Sequence, residues 1–132
     1  MAKVKYIRCD IYKRGINVLI GTPEELKKWC EKTYNEDEDD KEFNESLKHC
    51  RFGLADFHYS YGGCAVIRLP KFPKTPVEIA YTAHEAFHAT SWLLSFSGVD
   101  YDNENINNEA FAYLIEHLMR NILEKEGYEN IE

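Results

Sequence analysis

Two tetrapeptides of one design constrain this chain more than any bulk property. Thr22-Pro23-Glu24-Glu25 and Thr75-Pro76-Val77-Glu78 each put threonine where a helix N-cap belongs, proline at the first helical position and glutamate at the third. The threonine hydroxyl can accept from the third amide, the glutamate from the cap amide, and proline lacks an N–H that would have no helical partner there. Each tetrapeptide therefore starts a helix. After the first, Leu26, Trp29, Cys30 and Thr33 share a face, with Lys27, Lys28 and Lys32 away from it. After the second, a helix is predicted from Pro76 to about Phe96, with Gly98 as its stop.

The segments between are read from alternation and punctuation. Val4–Tyr12 and Ile16–Ile20 read as strands, with Arg14-Gly15 in the turn between them and the bases Lys3, Lys5, Arg8, Lys13 and Arg14 on a wet face. Phe43, Leu47 and Cys50 predict a short helix over about 40–50. Phe52–Ser60 and Cys64–Leu69, joined through Gly62-Gly63, predict a hairpin in which His58, Tyr59 and Tyr61 are sheet-face residues. A last helix is predicted from about Ile106 to Lys125, ended by Gly127. Trp29 and Trp92 fall at core spacing. Together these make one α+β domain over residues 1–132, with a mostly antiparallel sheet of about four strands on two long helices.

Charge separates one segment from the rest. The chain has 23 acids and 16 bases, a formal net charge of -7. Residues 31–46 hold eight acids against Lys32 and Lys41, so -6 of the total lies there. The overall pI of about 5.3 argues against a nucleic-acid partner. No apolar run is long enough to span a membrane, and no leader pattern opens the chain, so a cytoplasmic location is expected. Cys9, Cys30, Cys50 and Cys64 form no C-x-x-C pair and read as free, mostly buried thiols.

Within the Pro76 helix stands His84-Glu85-Ala86-Phe87-His88. Histidines at i and i+4 share one face a turn apart, so both imidazoles can reach one Zn²⁺. Glu85, one residue along, can meet an attacking water without itself ligating. Asn108-Glu109-Ala110 opens the next helix after a short loop, and antiparallel pairing would bring Glu109 toward the histidines.

H-E-x-x-H followed about 20 residues on by N-E-A resembles the gluzincin metallopeptidases, and the size is similar to that of the single-domain minigluzincins. The resemblance spans about 64–123. It implies a zincin-like fold, His84, His88 and Glu109 as zinc ligands, Glu85 as general base, and a peptide or protein substrate. It also implies a substrate strand laid along Ala65–Arg68, so Ala65 and Ile67 join Tyr81, Tyr113 and His117 as candidate substrate or transition-state contacts. The chain departs from the pattern at Tyr113, where many gluzincins carry an aspartate that steadies a histidine ligand. If the acidic segment overhangs the cleft, basic peptides are favoured. Two further readings stand beside the peptidase: a zincin-like metal protein that binds a partner without cleaving it, and a metal-free interaction protein using a helix face.

Overall fold

The computed structural model describes residues 2–34, 45, 55–59, 65–99 and 108–131. The predicted helix over 40–50, the Gly62-Gly63 turn, Cys50, Cys64 and most of the acidic segment lie outside the described residues.

Chain order is β1 (Lys3–Cys9), β2 (Arg14–Ile20), α1 (Pro23–Tyr34), β3 (Asp56–Tyr59), β4 (Ala65–Leu69), α2 (Pro76–Ser95), α3 (Asn108–Leu123) and β5 (Glu129–Asn130). Both capping boxes form. Thr22 Oγ1 accepts from the Glu25 amide at 3.1 Å while Glu25 accepts from the Thr22 amide at 3.1 Å. Thr75 and Glu78 make the same reciprocal pair at 3.2 and 3.0 Å. The Lys71 ammonium, 2.8 Å away, and then the donated amides of Thr75 and Lys74 hold the Glu78 carboxyl down at about 2. Past the end of α2, Gly98 takes φ 70°, the left-handed conformation expected of a stop.

The strands form one mixed sheet in the order β3-β4-β2-β1-β5. β1 and β2 are antiparallel, as are β3 and β4, but β2 and β4 run parallel, Asn17 opposite Val66 through Ile20 opposite Leu69. The connection from β2 to β4 is long enough for a parallel pair, since it includes α1 and β3. Helices cover both faces. Ile7, Ile16, Val18, Ile67 and Leu69 pack with Leu93 of α2 and Phe111, Leu114, Leu118 and Ile122 of α3. On the other face Leu19 and Val66 pack with Leu26, Trp29 and Cys30 of α1. Among the described residues the sheet thus has five strands and two covered faces, where about four strands on two helices were expected. Cys9 and Cys30 are buried, as expected, and burial pushes the Cys9 thiol up to about 11.

Three local expectations need correction. The turn between β1 and β2 is not at Arg14-Gly15. It is a 3-10 turn, Asp10–Tyr12, closed by Lys13 at φ 54°, and Gly15 belongs to the β2 ladder opposite Arg8. Lys5 is not on a wet face. It has the strand parity of Ile7 and Cys9, is 8% exposed, and donates from Nζ to the carbonyls of Asn121 (2.7 Å) and Glu124 (3.0 Å) at the end of α3. Finally, β4 is not the free edge that a substrate strand along Ala65–Arg68 would need, because β3 and β2 flank it.

Candidate metal centre

α2 is a helix that buries Thr82, Ala86, Ala89, Thr90, Trp92, Leu93 and Leu94 and leaves its opposite side exposed. His84 and His88 fall on the exposed side because they lie two residues from Ala86, on the far arc of the helix. Their Nε2 atoms are 3.2 Å apart and their ring centroids 4.9 Å apart. A tetrahedral zinc bound by two imidazoles at ~2.0–2.1 Å holds those nitrogens about 3.3–3.4 Å apart. The pair thus already has the separation that one ion requires. Burial and the neighbouring His84 hold the His88 imidazole below its ordinary value, which favours the neutral form that ligates.

Glu85 sits at the border between the two sides. Its side chain is 14% exposed, with Oε1 4.0 Å from His84 Nε2. Burial pushes its carboxyl above the usual range, His84 opposes this, Asp56 adds to it and His58 eases it. A carboxylate made more basic by burial beside the His84 imidazole is suited to take a proton.

α3 packs on α2, and the rings of Phe87 and Phe111 meet at 6.0 Å. This brings the start of α3 to the H-E-x-x-H turn. Glu109 is exposed there and does not join the pair. Among the described residues, no three His, Cys, Asp or Glu side chains converge to hold one ion.

The other candidates separate. Tyr81 is half exposed one turn before His84 and lines a cavity of about 350 Å³ with Thr82, Val77, Lys71 and Pro73. Tyr113 and His117 line a separate cavity of about 270 Å³ against Cys9 and Tyr12. His117 Nε2 donates to the Arg8 carbonyl at 3.0 Å, so its ring is tied to β1 and does not turn to the histidine pair. Ala65 and Ile67 are 1% and 0% exposed on a strand paired on both sides, so no peptide can add along Ala65–Arg68. The described edge on that side is β3.

β3, expected as plain sheet, carries a buried polar cluster. Arg68 is 1% exposed, and it donates from Nη2 and Nε to the two Asp56 oxygens at 2.6 and 3.1 Å. Its Nη1 donates to the Gly21 carbonyl at 3.2 Å. His58 Nε2 donates to Asp56 Oδ1 at 2.8 Å. Burial pushes the Asp56 carboxyl up, but hydrogen bonds from His58 and Arg68 outweigh it and leave it below its ordinary value. The only sequence signal was an aspartate and a histidine two apart on one strand face, with an arginine inside an otherwise apolar strand.

Comparison of the chain with family models, with curated proteins and with solved structures finds no match.

Proposed function

We propose that this protein is a small zinc-dependent peptidase that hydrolyses a peptide bond at the exposed face of α2. The observation that carries the reading is the 3.2 Å approach of His84 and His88 Nε2 beside a half-buried Glu85 whose carboxyl is raised. His84 and His88 would hold the ion, and Glu109, at the adjacent start of α3, would come to it as third ligand. Bound zinc supplies Lewis acidity and makes water acidic enough to attack at neutral pH. The chain's own contribution is the base. Glu85 takes the proton from the attacking water and returns it to the leaving amine. Tyr81 and the cavity it lines offer the side chain of a bound peptide an apolar wall.

The exposure of Glu109 supports a second reading, in which the pair holds metal for partner binding and no peptide is cleaved. Glu85→Gln separates the two. It should keep zinc, because no ligand is lost, and lower peptide hydrolysis by about 10²–10⁴-fold, the usual contribution of a general base. Zinc content by elemental analysis and turnover of a fluorogenic peptide library are the measurements. Stoichiometric zinc without turnover in the parent chain would leave only the second reading, and a chain that takes up no zinc would end both.

A further inference from the structure

We propose that the α2 face carrying His84 and His88 is also a zinc-bridged contact between two copies of this chain, formed when zinc is scarcer than protein. The proposal rests on the metal-pair reading above. A closed tetrahedral zinc site needs four protein ligands. One α2 helix supplies two, already at the right separation, and a two-fold axis through the ion supplies the same two from a second copy.

Three observations favour a second copy as the occupant. The pair is accessible: the His84 side chain is 68% exposed on the outer side of α2. Large apolar side chains flank it. Tyr81, one turn before, is 45% exposed and Phe87, beside His88, is 40% exposed, so a two-fold contact would cover both in each copy. On α2 itself this face carries little charge. From Ile79 to Ser95 the only formally charged residue of α2 is Glu85, and its side chain is 14% exposed. α2 itself therefore brings no exposed unit charge to the contact, whereas the exposed Glu109 at the adjacent start of α3 does.

The patch is small, and a stable interface without metal needs about 1,000 Å² or more, so the ion and not the apolar rim must hold the copies together. Mass action then sets the state. Below one zinc per chain, four imidazoles on one ion use two chains. Above it, each chain takes its own ion with Glu109, and the dimer is lost. With four imidazoles bound, the open position is filled and the peptidase is off, so zinc supply would regulate the same site.

Zinc titration followed by sedimentation velocity and metal analysis tests this. At half an equivalent of zinc the expected species has twice the 15.5 kDa mass of the chain and half a zinc per chain. It should revert to monomer with a chelator, or with zinc in excess. His88→Ala should abolish it, and Glu109→Ala should keep it and extend it into zinc excess, because the competing one-chain site is weakened. Both residues are exposed, so both variants should fold. A monomer holding one zinc per chain at every ratio overturns the dimer and leaves the metal reading standing. A dimer that forms without zinc, or that survives His88→Ala, overturns it as well. No zinc uptake at all overturns both.

Discussion

Lys5 shows how one side chain joins distant parts of this chain. A lysine whose strand parity points inward has to find acceptors, since an unpaired buried ammonium is costly. It finds them in the last carbonyls of α3, which lack helical partners and carry the negative end of the helix dipole. Its stem also lies against Gly127, where a Cβ would come within 3.1 Å of Cε and where φ is 91°. Its Nζ lies 5.2 Å from the centre of the Tyr128 ring. Lys5→Met keeps the stem and removes the donor. It should lower stability by roughly 1–3 kcal/mol in urea titrations, the cost of orphaning acceptors previously bound to a charged donor. No change would mean that water satisfies those carbonyls equally well.

At the scale of elements, the β1–β2 hairpin turns on Gly15. An added Cβ there would lie 2.4 Å from the Ile7 carbonyl oxygen and 2.6 Å from the Tyr6 ring. Tyr6 covers the glycine from the neighbouring strand, so the position is filled although it has no side chain of its own. Gly15→Ala should therefore cost about 1–3 kcal/mol through overpacking, and a drop in thermal midpoint would show it. A glycine beside an arginine reads from sequence as a turn. The turn forms instead at Asp10–Lys13, where the Lys13 amide donates to the Asp10 carbonyl at 3.2 Å and Arg8 pairs with Asp10 at 2.8 Å. The strand predicted over Val4–Tyr12 therefore ends at Cys9, and where the hairpin reverses depended on what the opposite strand needed.

Across the whole molecule, the Asp56–Arg68 pair ties the edge strand β3 to β4, and through Gly21 to the end of β2. Asp56→Asn removes the counter-charge of a guanidinium buried to 1% exposure and should destabilise the chain by about 3 kcal/mol. The same pair sets an acid limb. Because the folded carboxyl lies below its ordinary value, its contribution is fully present above about pH 4 and is lost as pH falls through the folded value. Glu78, held at about 2, acts in the same direction. Stability measured against pH should fall on acidification below about pH 4, and Asp56→Asn should make that fall shallower. An equally steep fall would place the titrating groups elsewhere. No described helix is long and apolar enough to cross a membrane.

The helix starts, the spacing of His84, Glu85 and His88, and the core roles of Trp29 and Trp92 were legible in the residues alone. Each depends on neighbours within about one helical turn, and capping and i,i+4 geometry need nothing more distant. Tertiary structure decided what depends on distant partners: the parallel pairing of β2 with β4, the interior place of β4, the burial of Lys5 and Arg68, and the tie of His117 to β1. A strand's own alternation says which residues share a face, but not which strand lies beside it or what covers either face. That is set by where the α1 crossover returns the chain, and by which helices pack on each side of the sheet.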